Sequence, residues 1–402
     1  MSEMAPETPE NPEILAPPPS PSPVIAPAQA PPSFARRLIA AIAVAIVIAT
    51  GGGIGIGWNL ARLITAHNAT ATQHISAVQQ VPQGSSSSGN ANLDINAVSH
   101  KVSPAIVDIN TTIQTANGSA AAAGTGLIIT STGDVLTNNH VVEGSVDVKV
   151  TIQGRSGTYA ADVVGVDPTD DIAVIHIRNV SGLPTVTFAD SSSVKVGDTV
   201  YALGNALGLG GAPRVTQGSV TALDQSITAS DNGAQAEQLT GMIQSDAEIS
   251  PGDSGGALVN SAGQVVGIIT AGEAQGFRST STTIAFAIPS SKAIDIANRI
   301  LAGDAGNGIY IGPVGFLGVS VRDSSDGIGV EVISVQAGSP AEKAGITAGS
   351  VITAVNSTSI DSPDTLGKAL HQFKPGDRVK ITWTAGNGTH TTTVTLIAGP
   401  TI

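Results

Sequence analysis

The 402-residue sequence contains no cysteine and only 3% aromatic residues. The lack of cysteine excludes disulfides, thiolate metal sites and a cysteine nucleophile. Because aromatic side chains are so scarce, any core must be built from Val, Ile, Leu and Ala. The seven histidines are scattered and form no H-x-x-x-H pair of the kind that binds zinc. The sequence therefore predicts neither a metal nor an organic cofactor.

Basic residues are also few, since 18 Lys and Arg stand against 31 Asp and Glu and the formal net charge is −13. Without a basic patch to neutralise phosphates, nucleic acid is excluded as a partner. Charged residues make up only 12% of the chain, whereas there are 47 glycines. This balance is typical of a mainly β protein with many glycine turns.

The N-terminal segment is rich in proline, with eleven of the 23 prolines in residues 1–33. Such a composition cannot bury enough apolar surface to fold, so residues 1–35 are predicted to be a disordered cytoplasmic tail. The 24 residues between Arg37 and Arg62 are all uncharged. A run of that length can cross a hydrocarbon core about 30 Å thick.

A single transmembrane helix is therefore predicted over residues 36–60, in contact with the membrane through residues 38–58. Arg36 and Arg37 precede the apolar run, which places the N-terminus in the cytoplasm and the rest of the chain outside it. The alternatives are a cleaved signal peptide and a buried core helix. The acidic, Pro-rich lead and the missing A-x-A site argue against the first, and the absence of a polar face argues against the second.

The rest of the chain divides into two predicted domains. A polar, Ser-rich linker over residues 61–92 leads into short β-type runs separated by Gly, Asp, Asn or Ser turns, the pattern of a β sandwich or barrel. This first domain is predicted over residues 93–302 and ends in a helix near 289–303. A glycine-rich hinge over 303–313 precedes a small α+β domain over 314–400.

The run G-D-S-G-G at residues 252–256 makes Ser254 a candidate nucleophile. The same letters also suit an ordinary turn, or the G-x-S-x-G elbow of another hydrolase class. The elbow requires the order Ser, Asp, His and a following helix, whereas strand-like sequence follows Ser254. The order His, Asp, Ser is available from His140, which ends an apolar run, and from Asp170 or Asp171 at the entry to a strand.

These segments resemble the HtrA/Deg family of serine proteases. The resemblance rests on five motifs in the family's order, over roughly residues 93–302: T-N-N-H-V-V at 137–142, D-P-T-D-D-I-A-V at 167–174, the G-N and T-Q-G segments within 200–223, G-D-S-G-G-A at 252–257 and the closing strand F-A-I-P at 286–289. It implies a chymotrypsin-like double β-barrel and a trypsin-like serine endopeptidase acting on unfolded or damaged proteins. It also implies a membrane-anchored bacterial form.

The resemblance assigns roles to individual residues. It implies the triad His140–Asp171–Ser254, because the family's acid directly precedes I-A-V, and it makes Asp170 a turn carboxylate. The backbone N–H groups of Gly252 and Ser254 are predicted to form the oxyanion hole. Gly255 and Gly256 are predicted to keep side chains out of the substrate's path.

Two residues near Ser254 depart from the family. Asp253 stands where the family usually has Asn, and it is predicted to accept a loop amide or to face a cation. Glu248 lies where trypsin-like proteases carry an acid that selects Lys or Arg, whereas the resembled family cleaves after small aliphatic residues. Both preferences stay open, and the predicted lining of the primary specificity (S1) pocket is Glu248, Ile249, Ile268, Thr270 and Ile284.

The second domain resembles the PDZ domains that follow these proteases, through G-F-L-G-V-S-V at residues 315–321 and S-P-A-E-K-A-G-I at 339–346. The resemblance implies a peptide-binding loop for a carboxylate, formed by Phe316, Leu317, Gly318 and Val319. C-terminal or extended peptides are the expected ligands, added as a strand to a sheet edge. Tethering of unfolded chains and gating of the protease both remain open.

The sequence thus predicts a membrane-anchored, extracytoplasmic serine endopeptidase with a regulatory or tethering PDZ domain. The alternative is a pseudoprotease or chaperone-like peptide-binding protein that acts mainly through its PDZ domain. A homotrimer is implied only by the family resemblance. In the family, aromatic residues at the start of the protease domain often form the trimer contacts, and this chain has no aromatic residue between Trp58 and Tyr159.

Overall fold

The computed structural model describes residues 94–115, 118–205, 211–229, 237–272, 284–325, 327–386 and 388–402. The predicted tail, transmembrane helix and linker lie outside the described residues. Within the described ranges, no helix is both long and apolar enough to cross a membrane. The mainly β architecture predicted from the glycine-rich, charge-poor composition is confirmed.

The first barrel follows an N-terminal helix, α1 (Ile95–Val102), and a single 3₁₀ turn (Ser103–Ala105). Its elements are β1 (Ile106–Thr115), β2 (Gly118–Ile128), β3 (Asp134–Thr137), the short helix α2 (Asn139–Val142), β4 (Ser145–Ile152), β5 (Thr158–Asp167) and β6 (Ile172–Ile177). The strands pair in the order β5-β4-β1-β2-β3-β6, and β6 returns to β5 to close the ring.

Strand β4 shows why the first barrel closes around an apolar interior. Its side chains alternate with period two, so that Val148, Val150 and Ile152 are buried while Asp147 and Lys149 face solvent. These three residues join a core cluster made only of residues from this half of the protease domain, against which Tyr310 and the C-terminal Ile402 pack. The alternation therefore decides which face of the strand points into the barrel.

The second barrel consists of β7 (Thr199–Gly204), β8 (Arg214–Ala229), β9 (Glu237–Ser245), β10 (Ala257–Asn260), β11 (Val265–Gly272) and β12 (Ala285–Pro289), after a second 3₁₀ turn (Ser191–Ser193). The strands close in the order β10-β11-β12-β9-β8-β7. The helix α3 (Ser290–Ala302) follows at once and ends at Gly303, whose φ of 73° forms a left-handed cap.

A shared apolar cluster joins the two barrels. Strand β6 is buried on both faces: Ala173, Ile175 and Ile177 enter the first barrel's core, whereas Ile172 and Val174 pack in a cluster that also holds residues of α1, α3 and the second barrel. The loops before β6 and after β3 therefore face the second barrel across this seam. That is where the candidate catalytic residues lie.

The predicted hinge contains a strand of its own. Residues Tyr310–Ile311 form β13, which pairs with β5 of the first barrel, with Tyr310 opposite Val166. The segment that joins the two domains is thus attached to the protease sheet. The ring of Tyr310 also makes an edge-to-face contact with His371 of the C-terminal domain, with centroids 5.7 Å apart.

The C-terminal domain is a small α+β unit with its own core. Its elements are β14 (Gly315–Phe316), β15 (Val319–Asp323), β16 (Val330–Val335), α4 (Pro340–Ala344), β17 (Val351–Val355), β18 (Thr358–Ser359), α5 (Pro363–His371), β19 (Arg378–Ala385), β20 (Gly388–Thr395) and β21 (Ile397–Ala398). The main sheet runs β15-β16-β17-β19-β20, and β14 pairs with β21.

The last residues return to the protease domain. The amide of Gly144 donates to the Thr401 carbonyl (2.7 Å), and the Thr401 amide donates to the Ser145 carbonyl (3.0 Å). Ile402 packs against the core of the first barrel. The residues after β21 therefore connect the C-terminal domain to the loop that follows α2.

Candidate active site

His140 and Asp171 are in direct contact. His140 lies on α2, immediately after β3, and its Nδ1 is 2.9 Å from Asp171 Oδ2 and 3.1 Å from Oδ1. The backbone amide of His140 donates to the same carboxylate (3.0 Å). Asp171 is only 2% exposed, whereas the His140 side chain is 32% exposed. A buried carboxylate therefore holds the imidazole and leaves its Nε2 atom as the basic nitrogen.

The backbone of Asp171 is itself fixed in an unusual conformation. Its φ is 52°, a left-handed value that non-glycine residues seldom adopt. The side-chain amide of Asn138 donates to the Asp171 carbonyl (2.9 Å), and the hydroxyl of Thr270 donates to Asp171 Oδ2. These contacts from two sides stabilise the turn that aims the carboxylate at His140.

The alternative acid, Asp170, has a different partner. Its carboxylate forms an ion pair with Lys292 on α3. His176, the other histidine of this segment, pairs with Asp134 on the neighbouring strand at 2.8 Å. Both residues therefore point away from His140, in the way expected of surface ion pairs.

Ser254 is joined to the same cluster through Thr270. The Ser254 hydroxyl donates to the Thr270 carbonyl (3.2 Å), while the hydroxyl of Thr270 is bound to Asp171. The Ser254 carbonyl accepts from the Thr125 amide (2.8 Å), which ties the serine to the first barrel. The serine thus lies at the seam between the barrels, where His140 and Asp171 also lie.

Close packing of the backbone requires both glycines after Ser254. A Cβ at Gly255 would lie 2.0 Å from the Thr125 carbonyl oxygen, and one at Gly256 would lie 2.3 Å from the Leu203 carbonyl oxygen. Neither position can therefore hold a larger residue without moving its neighbours. Their role in leaving space for the substrate stays a prediction.

Residues 250–253 form a tight turn. The Asp253 amide donates to the Ser250 carbonyl (3.0 Å), and Gly252 has a φ of 98°. With proline at the second position and a positive φ at the third, this is a type II turn. The hydroxyl of Thr125 donates to the Gly252 carbonyl (2.8 Å). Within the described residues, the amides of Gly252 and Ser254 have no hydrogen-bond partner.

Asp253 is buried, with 4% exposure, beside the turn. Its Oδ2 accepts from the Ser250 amide (2.8 Å), and its Oδ1 has no hydrogen-bond partner in the part of the chain that the structure describes. Burial raises the pKa of the Asp253 carboxyl to about 6, although the Ser250 hydrogen bond and the positive charge of Arg214 lower it. The predicted loop-amide contact is therefore present.

The predicted S1 residues do not form one group. Ile268 and Thr270 lie on β11, and Ile268 is fully buried in the cluster between the barrels, against which Ile284 packs. Ile249 belongs to the separate core of the second barrel. Glu248 forms an ion pair with Arg214 at 2.8 Å. Their role as a pocket lining stays a prediction.

The predicted carboxylate loop connects β14 and β15. Gly318 has a φ of 84°, and a Cβ there would lie 2.2 Å from the Ser339 Cβ, so no other residue fits. The carbonyls of Leu317 and Gly318 accept from the Ala341 and Gln336 amides. Among the described residues, the Leu317 and Gly318 amides have no hydrogen-bond partner.

Three polar residues of the site were not identified from the sequence in the roles they have here. Thr125 bonds the Gly252 carbonyl, Arg214 contacts the segment before Ser254, and Thr270, predicted only as a pocket residue, binds Asp171. The available signal was weak, because threonines are common in this chain. Only the folded structure shows the hydrogen bonds and the ion pair that these three residues make.

Comparison with known proteins identifies both domains. Residues 124–268 match the model of a trypsin-like peptidase domain, and residues 315–396 match that of a PDZ domain. The chain is 33% identical over 375 residues to the serine protease PepD of Mycobacterium tuberculosis, covering 89% of this chain and 77% of PepD. It is also 33% identical over 329 residues to the serine protease Do-like HtrA of Lactococcus lactis subsp. cremoris, covering 73% of this chain and 80% of that protein.

The chain belongs to the HtrA/Do-like family of serine proteases. Among solved structures, the HtrA-type protease AlgW with a tripeptide is 27% identical and has a TM-score of 0.46, over 76% of this chain and 98% of AlgW. The matched domains and the curated relatives show that this HtrA-type protein is a serine protease that degrades proteins and carries a PDZ domain. The family resemblance drawn from the five sequence motifs is confirmed.

Proposed function

We propose that His140, Asp171 and Ser254 are the catalytic triad of this protease. The observation that carries the proposal is the buried Asp171 carboxylate on His140 Nδ1, with Ser254 joined to the same cluster by Thr270. In the proposed reactive state, the Ser254 hydroxyl leaves the Thr270 carbonyl and donates to His140 Nε2. Catalytic hydrogen bonds are often loose before substrate binds.

The chemistry follows from these positions. His140 Nε2 removes the hydroxyl proton as Ser254 Oγ attacks the substrate carbonyl, and Asp171 stabilises the imidazolium that forms. The same imidazolium then gives the proton to the leaving amine, and an acyl-enzyme remains on Ser254. Water, deprotonated by His140, hydrolyses this ester and regenerates the free hydroxyl.

The oxyanion would be bound by the amides of Gly252 and Ser254. Support comes from the type II turn, which fixes the direction of the Gly252 amide, and from the lack of a competing partner for either amide in the described ranges. Losing one such donor typically costs about 3–4 kcal/mol in the barrier.

The substrate preference is proposed to be small aliphatic rather than basic. Glu248 could attract a Lys or Arg side chain, but Arg214 already pairs with its carboxylate. An acid whose charge is balanced in this way is a poor selector for a second cation. With this charge balanced, small aliphatic side chains remain the proposed preference.

The PDZ domain is proposed to bind C-terminal or extended peptides. Strand β15 lies at the end of its sheet and, among the described residues, pairs with β16 on one side only, so its other edge can accept a peptide strand. The amides of Leu317 and Gly318 stand at the start of that edge and would bind the carboxylate. Phe316 and Val319, which flank them, complete the predicted loop.

The cellular setting is proposed from the sequence. The uncharged run within residues 36–60 would anchor the protein in the cell membrane, with protease and PDZ domains extracytoplasmic. Unfolded or damaged proteins are the proposed substrates. A homotrimer stays an expectation of the family.

A fluorophosphonate probe tests the triad directly. The full chain, purified in detergent, should label at Ser254 and digest casein, and Ser254→Ala should abolish both. Ser156→Ala, which removes an exposed hydroxyl in the loop between β4 and β5, should change neither. Labelling of wild type that persists in Ser254→Ala would refute the assignment. An unlabelled wild type, even with C-terminal peptides added, would favour the chaperone-like alternative.

A further inference from the structure

The direction of the Gly252 amide depends on the form of the turn at residues 250–253. In a type II turn, the peptide between the second and third residues is reversed relative to a type I turn. A change to type I would rotate the Pro251–Gly252 peptide and turn the Gly252 amide away. Whatever holds the type II form therefore holds one of the two proposed oxyanion donors.

Arg214, the first residue of β8, contacts the segment that enters this turn. Its Nη1 donates to the Ser250 hydroxyl (2.8 Å), and its Nη2 is 2.8 Å from Glu248 Oε2. The nearby strand residue Thr216 donates its hydroxyl to the Glu248 carbonyl (2.7 Å). Two residues of one rigid strand thus fix the chain just before Pro251.

The side-chain contacts of Ser250 complete this arrangement from within the turn. The Ser250 hydroxyl accepts from Arg214, while the Ser250 amide donates to the carboxylate of Asp253. The first residue of the turn is therefore held on two sides, by a cation outside the turn and by an anion within it. The anion directly precedes Ser254.

The exposure of the ion pair shows that its main effect is not on folding stability. The Arg214 and Glu248 side chains are 38% and 43% exposed. Ion pairs so open to solvent usually contribute little to the stability of a fold. A planar guanidinium, however, offers several donors in fixed directions, so one side chain can span two acceptors and fix their spacing.

We infer that Arg214 is a positioning residue for catalysis, which holds Glu248 and Ser250 so that the 250–253 turn keeps the Gly252 amide aimed at the oxyanion. The inference rests on the proposed function, because it takes Ser254 as the nucleophile. Arg214 touches no reacting atom and acts through the turn. Its loss should weaken binding of the transition state and leave binding of the ground state nearly unchanged.

The test compares Arg214→Gln, Arg214→Lys and Ser250→Ala with wild type on a peptide substrate. Arg214→Gln should lower kcat by about 10- to 100-fold, less than complete loss of an oxyanion donor, with KM within about threefold. A peptide boronic acid, which forms a tetrahedral adduct, should lose affinity by the same factor. A product peptide should bind as before.

The other variants separate positioning from folding. Lysine keeps the charge but cannot span both acceptors, so Arg214→Lys should recover part of kcat. Ser250→Ala should also lower kcat. In the double variant Arg214→Gln/Ser250→Ala, the loss of kcat should be smaller than the product of the two single losses, as expected of coupled residues. The control Arg178→Gln, which breaks an exposed ion pair with Asp162 in the first barrel, should leave kcat unchanged.

Three outcomes would overturn the inference. The first is a labelled, active wild type with Arg214→Gln within twofold of its kcat. The second is a loss of kcat in Arg214→Gln matched by an equal loss of product-peptide affinity. The third is a fully multiplicative effect on kcat when Arg214→Gln and Ser250→Ala are combined. A wild type that is not labelled at Ser254 refutes the proposed triad instead, and is seen before any variant is compared.

Discussion

Replacing Asp253 with asparagine should stabilise the protein more at pH 8 than at pH 5. The pKa of this buried carboxyl rises from its ordinary value of 3.8 to about 6. A carboxyl with a raised folded-state pKa contributes stability below its unfolded pKa, and that stability is lost as pH rises through the folded value. Above pH 6, the folded wild type therefore carries an unfavourable buried charge.

The size of the effect follows from the shift in pKa. The full change corresponds to about 3 kcal/mol, and about 1.4 kcal/mol of it develops between pH 5 and pH 8. The side chain introduced by Asp253→Asn would keep an oxygen that can accept from the Ser250 amide, so the turn should persist. The increase in melting temperature of Asp253→Asn over wild type should therefore be about 3–6 °C larger at pH 8 than at pH 5, for a domain of this size.

Calorimetry at both pH values measures this difference. Each melting temperature of Asp253→Asn is compared with that of wild type at the same pH, so that histidines titrating in both proteins cancel. Asp190→Asn is the matched control, because that aspartate is only partly buried and its pKa is lowered by hydrogen bonds from Ser192. An identical difference at pH 5 and pH 8 for Asp253→Asn would refute the reasoning.

Three further variants test other contacts. Asp171→Asn should lower kcat by about 10³- to 10⁴-fold with an unchanged fold, because an amide cannot stabilise the imidazolium of His140. Peptide hydrolysis measures kcat and circular dichroism checks the fold. A loss of kcat under tenfold would contradict the assignment. Thr270→Val removes the hydroxyl donor to Asp171 and should destabilise the protein by about 1–3 kcal/mol in urea unfolding, whereas an unchanged midpoint would exclude that contact. Gly318→Ala puts a Cβ against Ser339 and should abolish peptide binding, measured by fluorescence anisotropy. Casein digestion without added peptide should persist. Peptide binding by Gly318→Ala with wild-type affinity would refute the proposed carboxylate loop.

The sequence was sufficient for the fold and for the order of the candidate catalytic residues. Strand-like runs between glycine turns predict barrels, because period-two burial is local information, as in β4. The contact between His140 and Asp171 was expected from the family resemblance, and the pairing of β3 with β6 brings the two residues together. The PDZ domain was predicted from motifs that lie within one compact segment.

Contacts that depend on the crossing of distant strands could not be predicted. Thr270 contacts Asp171 although the two residues lie 99 positions apart in the chain, and no sequence pattern around either residue predicts the contact. The same is true of Arg214, whose partner Ser250 lies 36 residues later on a turn. The reason for Gly255 was also missed, because the Thr125 carbonyl that excludes a side chain belongs to the other barrel.

The contact between Thr401 and Ser145 closes a loop of 256 residues. Each end lies in a domain with its own apolar core, so breaking this contact unfolds neither domain. It releases a few hydrogen bonds and the packing of Ile402 against the first barrel, a local opening that needs much less free energy than global unfolding. The amide hydrogens of Gly144 and Thr401 should therefore exchange with solvent together, through one local opening, long before those of the barrel strands.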